Sequence, residues 1–396
     1  MNPVIAQMTA TSRQAPESPD PFQAASYSEW VRRTLAELPG RPDAAVLYDN
    51  TIAEPAAELA QVVASAFAPR LTSRYVSVFA KGNPFVVQAV AKRYGVRPEQ
   101  VFATTGVASG LALALKALVQ PGDRVLVERP GFDLFGQLVR EAGAEADPLQ
   151  RTGPDFRIEP EAVAQALTPR TRAILISNLH NPSGAWLDAR ALEAIAAAAA
   201  KAGAVLIVDE VYRDLAPADG APTAALLAPN VIAASSLTKT FGLYALKCGW
   251  LISSPEMIAR LRARSPDGDY GVSKLSHAVA AHVLEQPAAF EAHWRRVLAS
   301  TRQVAATHAA ALADAGLIEG ELPEYGCMFF PRVTGWTDTF ELARRLWADH
   351  SLLVAPGEYF GAPGRIRIGF GADDPGLDEG LARLGVALTE LKSVAS

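Results

Sequence analysis

The middle of the chain alternates short apolar runs with segments of helical periodicity. The runs carry almost no polar alternation and lie at 101–104, 124–127, 173–177, 205–208, 231–233 and 249–252. Strands of this kind, separated by helical segments such as 108–118, are typical of a mostly parallel sheet that helices cover on both faces. The pattern therefore predicts an α/β fold with a large, mostly parallel sheet flanked by helices.

The pattern changes on both sides of this region. Residues 22–38 have helical spacing, and beyond about residue 284 the helical segments are longer, with a few strands such as 328–333 and 365–370. The first residues are rich in Pro and small polar side chains, which predicts a flexible segment. We expect four parts: an N-terminal arm at 1–21, the N-terminal part of a smaller α/β domain at 22–50, a large domain at 51–284, and the C-terminal part of the small domain at 285–396.

Charge and composition exclude several classes of protein. There are 37 Lys and Arg against 42 Asp and Glu, a net charge of −5, without long runs of one sign. This argues against a nucleic-acid partner, and no basic amphipathic segment indicates a membrane surface. Two cysteines cannot form a disulfide framework, and the first twenty residues hold no apolar run of the kind found in signal peptides. We expect a cytoplasmic protein, and no His, Cys and acidic cluster has the spacing of a metal site.

A lysine with uncharged neighbours is the first candidate for chemistry. Lys239 follows Ser236 by three residues and stands between Thr238 and Thr240, with Lys247 as a nearby cation. A lysine amine becomes a nucleophile or a base when desolvation or neighbouring positive charge makes its neutral form accessible. An isolated lysine is more often a solvated surface residue, so Lys239 gains weight only from the motifs around it.

Two polar motifs precede this lysine. Asp209 ends an apolar strand, with Tyr212 three residues later, and the stretch 181–184 reads Asn-Pro-Ser-Gly. The carboxyl end of a parallel strand is where open α/β sheets bind ligands, and a buried carboxylate there requires a cationic partner. The alternatives are that Asp209 caps a helix and that Asn181 begins a simple turn.

An anion site is predicted before the helix at 108–118. Thr105, Gly106 and Val107 stand between a strand and this helix, so their backbone N–H groups are directed at an anion, and the Ser236 hydroxyl could add a donor. Such loops are common in other proteins. Phe132, after Pro130-Gly131, is either a ligand-stacking ring or a core aromatic.

In this order and spacing, the motifs resemble the cofactor site of fold-type I enzymes that use pyridoxal 5'-phosphate, in particular class I/II aminotransferases. The resemblance covers about residues 45–390 and implies a mostly parallel seven-stranded sheet with a smaller α/β domain. It implies a Schiff base between the cofactor and Lys239, which also transfers protons as the general acid and base. It places the remaining side chains on the cofactor: Asp209 on the pyridine nitrogen, Tyr212 and Asn181 on the 3'-oxygen, Phe132 on the ring, and Thr105, Gly106, Val107 and Ser236 on the phosphate.

Three further positions follow from the same resemblance. Lys247 occupies the place, eight residues after Lys239, where the family has a phosphate-binding arginine; a lysine supplies charge there without the bidentate fork. Arg367 resembles the arginine that binds the substrate carboxylate, with Arg365 as the competing candidate, and Asn181 is expected to bind the substrate as well. Tyr75 resembles the tyrosine that reaches the phosphate of the neighbouring subunit, which implies a homodimer with shared active sites.

The implied reaction is transfer of an amino group between an L-amino acid and a 2-oxo acid. Because Lys247 departs from the family, β- or γ-elimination, cyclisation and O₂-dependent oxidation of an amino acid stay open as alternatives. A non-catalytic protein that binds the cofactor is a further one. The sequence does not identify the amino acid, although Asp267, Asp269 and Lys274 would favour a cationic or polar side chain.

Overall fold

A seven-stranded sheet forms the centre of the described chain. The computed structural model describes residues 20–68, 70–77, 82–217, 222–264, 272–372 and 376–395. Numbered after a short first strand, β1 (Ala45–Val46), the strands of this sheet are β2 (Val101–Thr104), β3 (Arg124–Arg129), β4 (Glu145–Gln150), β5 (Thr171–Ser177), β6 (Val205–Asp209), β7 (Val231–Ser236) and β8 (Gly249–Ile252). Their order is β2-β8-β7-β6-β5-β3-β4, and all neighbouring pairs are parallel except those of β8, which is antiparallel to both neighbours. The predicted fold class is confirmed.

The apolar runs became buried strands, as their composition predicts. Every residue of β6 and β7 is buried, and helices cover both faces of the sheet. Strand β4 escaped the sequence analysis because its residues, Glu-Ala-Asp-Pro-Leu-Gln, are largely polar and partly exposed. It lies at the edge of the sheet, where one side faces solvent and a proline is tolerated.

The helices of the described ranges are α1 (Tyr27–Glu37), α2 (Ala56–Phe67), α3 (Pro84–Tyr94), α4 (Gly106–Leu118), α5 (Asp133–Glu141), α6 (Pro160–Ala166), α7 (Ala189–Lys201), α8 (Pro255–Arg264), α9 (Lys274–Glu285), α10 (Ala288–Asp314), α11 (Thr339–His350) and α12 (Gly376–Ala395). Helix α1 begins later than the helical spacing predicts, because the Ser26 hydroxyl caps it by accepting from the Glu29 N–H. None of these helices combines the length and the apolar character that a membrane crossing requires.

Short strands accompany the C-terminal helices. They are β9 (Ile318–Glu319), β10 (Met328–Phe329), β11 (Arg332–Val333), β12 (Leu352–Leu353), β13 (Ala355–Pro356) and β14 (Ile366–Gly369). The expectation of one strand over 328–333 was wrong. Pro331 has no N–H to donate, and the chain changes partners there: β10 pairs with β14, whereas β11 pairs with β9.

Both ends of the described chain meet in one apolar core. Leu47 and Ile52 pack in the same cluster as Leu342, Leu384 and Leu391, which come from α11 and α12. Strand β1 pairs with β12 in parallel. The residues before the large sheet are therefore held against the C-terminal helices, although the division into domains stays a prediction.

The strand registers bring several polar residues to one edge of the sheet. Ser177 pairs with Asp209 across β5 and β6. Gly249, the first residue of the antiparallel β8, pairs with Thr104 on one side and with Ser236 on the other. The ends of β2, β5, β6 and β7 thus surround a single area, which holds the candidate site.

Candidate active site

Lys239 lies just beyond β7 with its side chain half-buried. Its Nζ donates to Asn50 Oδ1 at 2.9 Å and to Thr51 Oγ1 at 3.1 Å. Burial lowers the pKa of Lys239, and the nearby Asp49 carboxylate opposes this shift. Its neutral amine is therefore more accessible than that of a solvated lysine, as a nucleophile or base requires.

Asp209 and Tyr212 are both buried and poorly partnered. The Asp209 carboxylate accepts a hydrogen bond from the Val211 N–H at 3.1 Å, and no described cation forms a salt bridge with it. Burial raises the pKa of Asp209 to about 7. The Tyr212 hydroxyl has no hydrogen-bond partner among the described residues, and burial raises its pKa well above the ordinary value. The Tyr212 hydroxyl thus lacks the polar partner that buried polar atoms ordinarily have, and the Asp209 carboxylate lacks a cationic one among the described residues.

Arg367 joins Asn181 to the N-terminal residues. Its side chain is fully buried in β14, and Nη1 donates to Asn181 Oδ1 at 2.8 Å. Nη2 donates to the Tyr48 carbonyl at 3.0 Å and to the Tyr27 hydroxyl, while Nε has no partner among the described residues. Arg365 lies instead half-buried and donates to the Phe330 carbonyl. Of the two candidates, the structure thus brings Arg367 to Asn181.

A buried ion pair is connected to Asn181 through the Ser177 hydroxyl. Arg151 and Glu128 approach to 2.7 Å with fully buried side chains. The Ser177 hydroxyl donates to Glu128 and accepts from the Asn181 N–H at 3.0 Å. This set was not predicted from the sequence, although Glu128, directly after the apolar run of β3, is the signal that could have revealed it.

The anion site predicted from the sequence lies at the start of α4. Thr105 is its N-cap residue, and Gly106 begins the helix with a φ of +79°. Gly249 of β8 passes close by: a Cβ at this position would lie 2.6 Å from the Gly106 carbonyl carbon. Ser236 is buried and pairs with Gly249, so this close approach brings it near the helix N-terminus. Val107, the second residue of the helix, is half-buried. Unpaired N–H groups at a helix start attract anions.

Three further residues, Lys247, Tyr75 and Phe132, are predicted from the sequence to contact the cofactor. The exposed Lys247 has a left-handed backbone with a φ of +46°, and its Nζ lies 3.5 Å from the centre of the Tyr244 ring. Tyr75 is half-buried, and its hydroxyl has no hydrogen bond to the described residues. Phe132 is half-buried, with its ring centre 5.9 Å from that of Tyr27. Their roles stay predictions.

The contacts of the N-terminal residues were not predicted from the sequence either. Asn50 and Thr51 bind Lys239, and Tyr27 and Tyr48 bind Arg367, yet none of the four belongs to a motif. They reach the site through packing against the C-terminal helices, which local sequence does not reveal. Asp267 and Asp269, proposed for substrate choice, lie outside the described residues, and Lys274 begins α9.

These features fit pyridoxal 5'-phosphate. The helix N-terminus suits its phosphate, the Asp209 carboxylate suits a protonated pyridine nitrogen, and the unpartnered Tyr212 hydroxyl suits the oxygen on the ring. An amine with a lowered pKa, Lys239, stands beside them. Fold and site together define a pyridoxal-phosphate enzyme of fold type I.

Comparison with known proteins gives the family. The sequence model described as aminotransferase class I and II matches residues 51–384. This chain belongs to that family, whose members use pyridoxal 5'-phosphate.

Named relatives differ in their reactions. The chain is 32% identical to capreomycidine synthase of Streptomyces vinaceus over 76% of its own length and 78% of the relative's. It is 33% identical to a probable N-succinyldiaminopimelate aminotransferase of Mycobacterium tuberculosis, over 72% of this chain and 77% of the other. Among solved structures, the pyridoxal-phosphate-dependent cyclase OrfR superposes with a TM-score of 0.78 at 26% identity, covering 97% of this chain and 100% of OrfR.

Proposed function

We propose that this enzyme is an aminotransferase, which moves the amino group of an L-amino acid to a 2-oxo acid and uses Lys239 for proton transfer. The observation that carries the proposal is the joint placement of a desolvated amine, a buried carboxylate and a buried arginine at one edge of the sheet. Family membership and the aminotransferases among the relatives support it.

Arg367 is proposed to bind the substrate carboxylate. Its guanidinium is planar and fully buried, with ring centres of Tyr27 and Phe360 at 4.8 Å and 4.9 Å. A guanidinium can bind a carboxylate through two parallel hydrogen bonds, which fixes the orientation of the carboxylate as well as its position. The hydrogen bond to Asn181 holds one edge of the fork in place. Arg367 would therefore orient the Cα–H bond of the substrate toward the reacting groups.

The cofactor-binding residues have distinct tasks. When bound, the cofactor supplies an electron sink that makes the Cα–H of the amino acid acidic. Asp209 would keep the pyridine nitrogen protonated, because burial makes an unpaired carboxylate at this position unfavourable. Tyr212 would donate its hydroxyl to the ring oxygen, and the first N–H groups of α4 would hold the phosphate.

Lys239 would take the proton from Cα and return it. A general base works best when its pKa lies near the working pH, and burial moves the pKa of Lys239 downward in that direction. The amine is also held by two hydrogen bonds, so its position is defined before it reacts.

Cyclisation of an amino acid is the second candidate reaction. It is favoured by similarity to capreomycidine synthase and to the cyclase OrfR. Both reactions begin with removal of the same Cα proton, so the residues described above serve either one. The reactions differ in whether the amino nitrogen leaves the carbon skeleton.

The test is product analysis with ¹⁵N-labelled amino acids. The purified enzyme, loaded with cofactor, is incubated in D₂O with single L-amino acids, with and without a 2-oxo acid. Transfer of ¹⁵N to the added oxo acid would support transamination, and a cyclic product that keeps its ¹⁵N would support the second candidate. Absence of deuterium at Cα for every amino acid would contradict both. A Lys239→Ala variant serves as the inactive control.

We also propose that the enzyme is a homodimer in which Tyr75 acts on the partner's site. A mixture of Lys239→Ala and Tyr75→Phe chains tests this. If Tyr75 acts between subunits, random reassociation into symmetric dimers restores intact sites to about a quarter of the total. If Tyr75 acts within its own subunit, or if the chain is a monomer, the mixture stays at the activity of its parents.

A further inference from the structure

A segment before the large sheet, residues 47–53, runs directly alongside Lys239. Its backbone is hydrogen-bonded to two distant parts of the chain: the Ile52 N–H donates to the Lys239 carbonyl at 3.1 Å, and the Ala53 N–H donates to the Gly371 carbonyl at 2.8 Å. At its start, the Leu47 carbonyl accepts from the Gly369 N–H at 2.7 Å. The 47–53 segment is thus fixed at both ends by the chain that carries the site.

Glycines allow this segment to approach so closely. A Cβ at Gly369 would lie 1.8 Å from the Asp49 carbonyl oxygen, and one at Gly371 would lie 2.5 Å from that of Thr51. Distances this short to backbone atoms exclude any side chain at either position. The segment therefore has little freedom to move relative to Lys239.

Asn50 is oriented by contacts on several sides. The residue is 3% exposed, its side-chain Nδ2 faces the Met328 sulfur at 3.9 Å, and its backbone carbonyl accepts from the Cys327 thiol at 3.3 Å. These contacts direct Oδ1 at the lysine amine. Thr51 follows with its hydroxyl at 3.1 Å from the same Nζ.

We propose that Asn50 and Thr51 are positioning residues that hold the free amine of Lys239 by two of its N–H groups. A tetrahedral nitrogen bound in this way has only one direction left, which points away from the 47–53 segment. The lone pair of the neutral amine, or the third proton of the ammonium, occupies that direction. When a substrate Cα–H bond breaks, the proton forms the new N–H bond there, and it leaves from there on return.

This inference rests on the proposed proton transfer by Lys239, but its charge effect can be measured separately. Oxygen acceptors favour the ammonium over the neutral amine, because hydrogen bonds to a charged donor are stronger. The other charged or titratable groups that act on Lys239 are Asp49, Arg367, Cys327 and Asp209. Substitutions at Asn50 and Thr51 leave these four residues in place. A shift in the titration of the Lys239 amine therefore reports the effect of the two oxygen acceptors.

Four variants test the inference in the full-length chain. Asn50→Leu and Thr51→Val remove one acceptor each with little change in shape, Asn50→Asp replaces an amide by a carboxylate, and Thr51→Ser keeps the hydroxyl as the matched control. In cofactor-free protein, the rate at which trinitrobenzene sulfonate labels Lys239 is followed against pH by mass spectrometry. In the loaded enzyme, Cα–H exchange in D₂O gives kcat and KM.

The labelling midpoint should fall by about one pH unit in Asn50→Leu and by somewhat less in Thr51→Val, rise in Asn50→Asp, and stay in place in Thr51→Ser. The kcat of exchange should fall roughly ten- to a hundredfold in the first two variants, with KM nearly unchanged. Unchanged midpoints in both Asn50→Leu and Thr51→Val would overturn the inference, as would a loss confined to KM. If Asn50→Leu fails to fold, the result for Thr51→Val is the deciding one, because Thr51 is only half-buried and its substitution disturbs the core less. Absence of exchange in the wild type would refute the proposed function, whereas the labelling would still decide on the two oxygens.

Discussion

Replacing Asp209 by Asn should stabilise the cofactor-free protein as the pH rises. The carboxylate is buried at the end of β6, and its pKa is raised to about 7 from the ordinary 3.8. Between these two values the folded chain keeps a proton that the unfolded chain has lost, so stability falls with rising pH over this window. Asparagine is nearly isosteric and carries no charge, and it can still accept from the Val211 N–H.

The size of the effect follows from the pKa difference. Between pH 5 and pH 7, the free energy of unfolding of the wild type falls relative to that of the variant by about 1.4 kcal/mol per pH unit. Over the two units this amounts to about 3 kcal/mol. For cooperative unfolding of all 396 residues, an entropy of about 2 cal/mol/K per residue converts this to a change of roughly 3 °C in Tm. Glu210, whose pKa is also raised to about 7, is present in both proteins and repels the Asp209 carboxylate, so the difference between them includes the loss of this repulsion.

The assay is thermal unfolding of cofactor-free wild type and Asp209→Asn at pH 5 and pH 8. The difference in Tm should move in favour of the variant as the pH increases. With cofactor the sign should reverse, because the variant loses a charge-assisted hydrogen bond, about 1.5–3 kcal/mol or ten- to a hundredfold in Kd. A difference in Tm that stays the same at both pH values would refute the assignment of a penalised carboxylate.

Three other substitutions test individual groups. Arg367→Lys should raise KM for the amino acid about a hundredfold, because a point charge replaces a planar fork, whereas Arg365→Lys should leave it almost unchanged; equal effects of the two would contradict the assignment. Tyr212→Phe should raise the Tm of cofactor-free protein by removing a buried unpartnered hydroxyl worth about 1–3 kcal/mol, and should weaken cofactor binding about tenfold; a lower Tm would count against it. Lys247→Arg should leave the Kd for the cofactor unchanged or lower it by up to about thirtyfold, about 2 kcal/mol, as measured by fluorescence titration; clearly weaker binding would argue against a phosphate contact.

The large sheet could be predicted because its signal is local. Strand β6 is apolar at four successive positions and ends in Asp209, so the run alone indicates a buried strand with a polar residue at its carboxyl end. The family motifs then indicated that Asp209, Asn181 and Lys239 belong to the same site. Strand β4 could not be found in this way, since an edge strand needs little apolar sequence.

The hidden part of the site depends on contacts between distant residues. Nothing about Asn50 or Thr51 distinguishes them from loop residues until Gly369 and Gly371 bring the 47–53 segment against Lys239. The choice between Arg365 and Arg367 likewise required the position of Asn181.

The bonds of Arg367 have a consequence for the order in which the enzyme is completed during synthesis. The partners of this one side chain lie 186, 319 and 340 residues earlier in the chain. At about 5–20 residues per second, a ribosome makes Arg367 roughly 15–65 s after Tyr48. Lys239 and Asp209, the proposed base and the proposed partner of the pyridine nitrogen, therefore leave the ribosome before the arginine that is proposed to orient the substrate. A nascent chain can therefore contain the residues proposed to bind the cofactor while it still lacks the arginine proposed to bind the substrate carboxylate, so the substrate-binding group is the last part of the candidate site to be added.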